Sequence, residues 1–357
     1  MKEKLLSIIM PTYNRAHLLI LTLSYFKEQI TRNDEEVELI VCNNVSTDNT
    51  HELLLSYHSE NPFFSIIEYD THNEGGDAVI RPVLNAKGKF FIAFGDDDVP
   101  APFMVDVLLY ELKKYPDIGK LVFNRLVAQT KADSFDMESM YLMGTADFGN
   151  GEVYYEDFSM FADEHQHEQG FVSVSVVRTE SFMSRCQDVY PNNHLGFEHV
   201  VPFMYAAMNR PALYLQYPLL IQRRPSLANK NYSHDFSGEK QFLYFNIGRP
   251  RTVRAQGDLG MLKDWHKTLY ALTYRNGVTK EMKLKEFFNE CISQSRFMLP
   301  YADEWIALHS DSDISLMLKR LLKTEGREYT YWKIYYKIKL YGLYPYLKEK
   351  LKWVLHI

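Results

Sequence analysis

Phe90-Phe91-Ile92-Ala93-Phe94-Gly95-Asp96-Asp97-Asp98 runs five apolar residues through a glycine into three consecutive carboxylates. Aromatic and β-branched residues stopped by glycine predict a buried strand over Phe90–Phe94. The carboxylates behind it repel one another and call for a cation. If extended geometry persists past the strand, Asp96 and Asp98 project to one side about 7 Å apart, which suits two carboxylates around one divalent ion. Hard oxygen ligands of this kind fit Mn2+ or Mg2+ shared with phosphate oxygens. A solvated acidic turn is the alternative.

Towards the N-terminus, Leu5–Met10, Val37–Cys42 and Ser65–Tyr69 read as further strands. Between them, Leu18, Leu19, Thr22, Leu23 and Phe26 keep a helical period across Ala16–Ile30, and an N-capping Asp48 opens a helix to Tyr57. This β-α-β-α order predicts an α/β fold with a doubly wound, mostly parallel sheet and ligands at the carboxyl ends of its strands. Towards the C-terminus, Phe103–Tyr115 reads as helix and Lys120–Val127 as strand. Residues 129–167 read as irregular and acidic, and Val172–Val177 alternates like a half-buried strand. Helical patterns dominate from about Gly260, so the expected division is a nucleotide-binding domain over 1–258 and a helical C-terminal region over 259–357.

The usual phosphate fingerprints are missing: no GxxxxGK[ST] loop occurs, and Gly75-Gly76 is not a GxGxxG turn. Instead the first strand ends in Pro11-Thr12-Tyr13-Asn14-Arg15 and the second in Cys42-Asn43-Asn44-Val45-Ser46-Thr47-Asp48-Asn49-Thr50. These are polar strand-to-helix turns at adjacent strand ends, although each also suits simple helix capping by Thr12, Asn14, Ser46 and Asp48.

SIIMPTYNR, ELIVCNNVSTDNT, Asn73-Glu74-Gly75, Ala86-Lys87-Gly88 and FIAFGDDD, in that order across residues 5–225, resemble the family 2 glycosyltransferases with the GT-A fold. The resemblance implies a metal-dependent, inverting hexosyltransferase. Its donor would be a nucleoside diphosphate sugar, with UDP favoured, and its acceptor a growing, lipid-linked bacterial surface glycan. Carried over, Pro11, Thr12, Asn14 and Arg15 line the nucleotide pocket and Asn43 faces the base or ribose. Asp96 and Asp97 meet the donor, and Asp96 and Asp98 hold Mn2+ or Mg2+. The chain departs from the family in Asn43, where an aspartate is usual, and in Arg81-Pro82, which replaces an Arg-Asn pair. The family's Glu-Asp pair at a helix start corresponds to Glu198-His199. Glu198 is the preferred general base and His199 the rival. His194 or His234 could complete the metal site. Two other classes stay open: a catalytically decayed glycan-binding or scaffolding protein, and a sugar-nucleotide pyrophosphorylase, which should carry a GxGxRxxP loop that PTYNR is not.

The composition is that of a globular protein, with 46% apolar residues and only 17 Gly and 14 Pro, which excludes wholesale disorder. Cys42, Cys186 and Cys291 form no CxxC pair, so a disulfide framework or zinc knuckle is not expected and a cytoplasmic, reducing setting is. MKEKLLSIIM is too short for a signal-peptide core, and no stretch of 18 apolar residues occurs. The net charge of −6 conceals an asymmetry: residues 327–357 hold seven basic and two acidic side chains, a local +5 that leaves −11 on the rest. An acidic body argues against a nucleic-acid partner. Nine Tyr and Trp rings interleave with the tail's cations, a pairing suited to the anionic inner face of the cell membrane. A helical hairpin packed on the body, or contact with single-stranded nucleic acid, are the other readings of that tail.

Overall fold

The computed structural model describes residues 3–130, 137–143, 149, 151–165, 170–189, 199–225, 253–256, 259 and 261. The chain divides into two compact units, Met1–Ala271 and Leu272–Ile357, and all described residues belong to the first. The expected boundary at 258, the tail from 327, and Glu198, His194 and His234 lie outside the described residues.

Strands β1 (Leu6–Thr12), β2 (Val37–Asn43), β3 (Ser65–Glu68) and β4 (Phe90–Ala93) run parallel in the order β3-β2-β1-β4. Helices α1 (Ala16–Arg32), α2 (Thr50–Glu60) and α3 (Asp77–Val83) connect them. Crossover helices leave both faces of these strands covered, so the strands themselves are nearly continuous apolar runs. Leu18, Leu19, Leu23 and Phe26 of α1 are buried, and Phe26 meets Phe94 edge-on at 4.9 Å. On the opposite face Ile9, Ile40, Phe91 and Ala93 form one cluster with Val83, Phe182 and Phe203. Gly88 enters β4 where a Cβ would stand 2.8 Å from the backbone of Leu6 and Ser7. Only glycine permits that approach.

After β4 come β5 (Val99–Pro100), α4 (Met104–Lys114), β6 (Lys120–Thr130), β7 (Met137–Met143), β8 (Glu152–Tyr155), α5 (Phe158–Glu164), β9 (Ser175–Arg178), α6 (Thr179–Val189), α7 (Val200–Tyr205) and β10 (Ala212–Pro225). The sheet continues β4-β9-β6-β10-β5, with β7 added to β6 and β8 to β10. Strand β9 is antiparallel to both β4 and β6, whereas β6 and β10 are parallel. The expected α/β, doubly wound sheet is therefore present, with an antiparallel strand let into its middle.

Several elements differ from the sequence reading. Residues 129–167 contain β7, β8 and α5 rather than only irregular chain, and Val172–Val174 forms a 3-10 turn before β9. Helix α3 carries Pro82 one residue before its end; the proline removes the N–H that would reach the Ala78 carbonyl, and the helix stops at the next residue. The 14-residue β10 has no clean alternation because its register with β6 shifts on both sides of Pro218. Proline in a long strand belongs at such a bulge.

Candidate active site

The carboxyl edge of the parallel strands brings four sequence segments together. Strand β1 runs on through Pro11 to Thr12; Thr12 lies in register with Asn43, and Asn43 with Glu68. Asn14 takes up a left-handed conformation, φ 54°, which asparagine tolerates better than most residues. Its backbone N–H donates to Ser46 Oγ at 3.0 Å, and its Oδ1 accepts from the N–H groups of Thr47 at 2.7 Å and Asp48 at 3.3 Å. The two polar turns are thus stitched by one side chain. Val45 also stands at positive φ, 63°, a conformation that costs a β-branched residue about 1–3 kcal/mol and persists only when its surroundings impose it. Asn44 supplies part of that constraint: its N–H donates to the Thr12 carbonyl at 2.9 Å, and its side chain makes three hydrogen bonds with Asn73. Arg81 donates to Asn73 Oδ1 at 3.1 Å and lies 4.2 Å over the Tyr69 ring, so the Arg81-Pro82 departure still delivers a guanidinium to this rim.

Extended geometry does not persist past β4. The strand ends at Ala93, and the Asp98 N–H donates to the Gly95 carbonyl at 3.3 Å, closing a turn. Alternation along a strand therefore does not place Asp96 and Asp98. A Cβ on Gly95 would lie 2.9 Å from Asp98 Oδ2 and 3.0 Å from Asp97 Oδ1, so the carboxylates fold back over the glycine. Arg15 Nη1 reaches Asp96 Oδ1 at 2.8 Å and Asp97 Oδ2 at 3.2 Å. Asp96 foremost raises the affinity of that guanidinium for its proton. The Thr22 hydroxyl lies 2.9 and 3.1 Å from the carbonyls of Asp96 and Asp98 and fixes the turn from α1. Asp98 accepts from the Ser173 hydroxyl and the Arg223 N–H, yet burial, with Asp97 beside it, pushes its carboxyl well above the usual range. Burial also raises Asp97, against Arg15, which pulls it down.

Among the described residues no group of three or more His, Cys, Asp or Glu side chains gathers as a protein-only metal site requires. A divalent ion at the triplet thus needs ligand oxygens to complete its shell, the habit of Mg2+ and Mn2+ on diphosphates. Asp98, buried with its charge opposed by Asp97, fits such an ion.

His199 is buried, meets Phe203 at 5.6 Å, and burial pushes its imidazole down to about 4 although the Gly170 backbone favours the protonated ring. Asn43 is 1% exposed. Its Oδ1 accepts the Ser46 N–H at 3.1 Å and its Nδ2 donates to Glu68 Oε2 at 2.8 Å. The sequence reading did not single out Thr22, Glu68, Ser173 or Arg223. Thr22 carried a signal, as the one hydroxyl on the buried stripe of α1.

Residues 7–148 match the family model for glycosyl transferase family 2. Among solved structures, residues 1–349 of S. aureus TarS align with 88% of this chain and 86% of their own at 15% identity and a TM-score of 0.52. The same protein in complex with UDP-GlcNAc gives 15% identity, 89% and 86% coverage and 0.52, and in complex with UDP 14%, 89% and 90%, and 0.52. No curated protein matches by sequence. At these identities the likeness is one of fold, and the family model covers every turn described above. Residues 7–148 therefore carry the pattern of glycosyl transferase family 2, and the fold is similar to that of a glycosyltransferase solved with its nucleotide sugar.

Proposed function

We propose that this enzyme moves a sugar from a nucleoside diphosphate donor, a UDP-sugar in the first instance, to a hydroxyl of a growing, lipid-linked bacterial surface glycan, with inversion at the transferred carbon. The observation that carries the reading is the Gly95–Asp98 turn, three carboxylates fixed by Arg15 and Thr22 beside the two turns that Asn14 stitches together. TarS, whose fold is similar, was crystallised with UDP-GlcNAc, which is consistent with a donor of that kind.

In this reading Pro11, Thr12, Asn14 and Arg15 form the donor pocket, Asn43 braces it from within through Ser46 and Glu68, Asp96 and Asp97 orient the donor, and Asp96 and Asp98 hold Mn2+ or Mg2+. A bound ion would neutralise charge developing on the leaving diphosphate. Arg15 holds Asp96 and Asp97 in place through its guanidinium, and Ser173 and the Arg223 N–H hold Asp98. Glu198 takes the proton of the acceptor hydroxyl. Enclosed and weakly basic, His199 suits that task poorly. The basic, ring-rich segment 327–357 docks the enzyme on an anionic membrane face, where a lipid-linked acceptor is presented.

A screen of nucleotide sugars for hydrolysis and transfer tests the reading. Turnover is expected with Mn2+ and not in EDTA, and Asp98→Asn should reduce it about 10²-fold or more while leaving the fold intact. Full turnover in EDTA refutes the metal role. Failure to consume any nucleotide sugar refutes the transferase reading.

A further inference from the structure

We propose that Glu68, the last residue of β3, is the carboxylate that reads the donor's nucleobase by accepting its ring N–H. The inference rests on the nucleotide-donor reading above and specifies it.

Thr12, Asn43 and Glu68 are successive register partners at the ends of three parallel strands, so their side chains share one face of the sheet. Asn43 sits in the middle of this row and is closed to a ligand: it is 1% exposed, its amide oxygen holds the Ser46 N–H, and its amide nitrogen donates to Glu68. Glu68 is open. Its side chain is 38% exposed, with Oε2 fixed by Asn43 at 2.8 Å and Oε1 lying 3.0 Å from His51 Nδ1. Each carboxylate oxygen accepts two hydrogen bonds, so a carboxylate held this way keeps one free acceptor position on each. At the other end of the row the Thr12 hydroxyl is buried and has no hydrogen-bond partner among the described residues, an omission that a polar ligand would repair. Tyr13, the next residue, lies with its ring 4.4 Å from that of His72 on the same rim, giving a base a flat surface to lie against.

A carboxylate only accepts, so the matching base presents ring N–H. Uracil and thymine do so at N3, and guanine at N1 with an adjacent amino group. Cytosine and adenine put a lone pair at that place and are repelled. Asn43 and His51 are positioning residues in this arrangement.

Calorimetry on the full chain with Mn2+ decides it. The better bound of UDP and GDP is compared with its ring-N-methyl form, with CDP and with inorganic pyrophosphate, for the native protein and for Glu68→Gln. The native protein should favour the parent nucleotide over its N-methyl form about ten- to a hundredfold, the worth of one hydrogen bond to a charged group. Glu68→Gln should erase that preference while leaving the N-methyl nucleotide and pyrophosphate unchanged. Equal weakening of all nucleotides makes Glu68 a strut for Asn43 and overturns the proposal, as does a native protein indifferent to N-methylation. If neither nucleotides nor pyrophosphate bind, the donor reading falls as well.

Discussion

Glu198 and His199 are neighbours in sequence with opposite expected behaviour. Burial drives the His199 imidazole down to about 4, so near pH 7 it is neutral and a poor proton acceptor, packed against Phe203. Glu198→Gln should lower transfer by about 10² to 10⁴ with donor binding nearly unchanged, whereas His199→Gln should chiefly lower the thermal midpoint. The reverse pattern in paired kinetic and melting measurements would exchange their roles. Lys120, wholly buried at the head of β6, offers a second test. Burial pushes its ammonium down to about 7, while an unfolded chain keeps that proton to about pH 10.4. Between these values the unfolded state binds more protons, so stability contributed by Lys120 grows as pH rises. The difference in melting temperature between the native protein and Lys120→Met should accordingly shift in favour of the native protein from pH 7 to pH 10. A difference that does not change with pH counts against this account. Legibility at this scale followed sequence distance. The triplet and both turns were visible because their residues are contiguous, whereas Ser173, in the 3-10 turn before β9, and Arg223, on β10, reach Asp98 across sequence separations that no local pattern encodes.

At the scale of elements, the close contact of Gly88 with β1 is the most exposed to substitution. Gly88→Ala puts a methyl group against the Leu6 and Ser7 backbone and should cost about 1–3 kcal/mol, measured by denaturant unfolding. An unchanged midpoint would mean that β1 and β4 can part cheaply. The β1–β4 half of the sheet was readable because apolar runs and 3.6-residue stripes alternate there without interruption. Within that half only α3 escapes, its period masked by Pro82; beyond residue 128 the signal fails because Pro218 breaks the period of β10 and the short β8, Glu152–Tyr155, offers too few residues for one.

Across the whole molecule the charge is divided between an acidic majority and a basic tail. No helix among the described residues is long and apolar enough to cross a membrane. Full-length protein should co-sediment with anionic liposomes, less in high salt and barely with neutral ones, since each Lys or Arg near such a surface contributes about 1 kcal/mol. Removing residues 327–357 should abolish binding and leave donor hydrolysis intact; a truncated protein that aggregates instead would show that the rings pack on the body. The antiparallel strand in the middle of the sheet has a consequence for assembly. β9 separates β4 from β6 but is made some fifty residues after β6 begins, so during synthesis the outer edge of β4, Phe90–Ala93, has no neighbour while everything up to residue 174 emerges. That edge is wholly apolar and belongs to the same segment that ends in the Asp96–Asp98 turn. Ser173, which tethers that turn through the Gly95 N–H, arrives with β9. The hydrophobic seam and the acidic turn thus depend on the same late stretch of chain, and neither can be complete before the residues up to Arg178 are available.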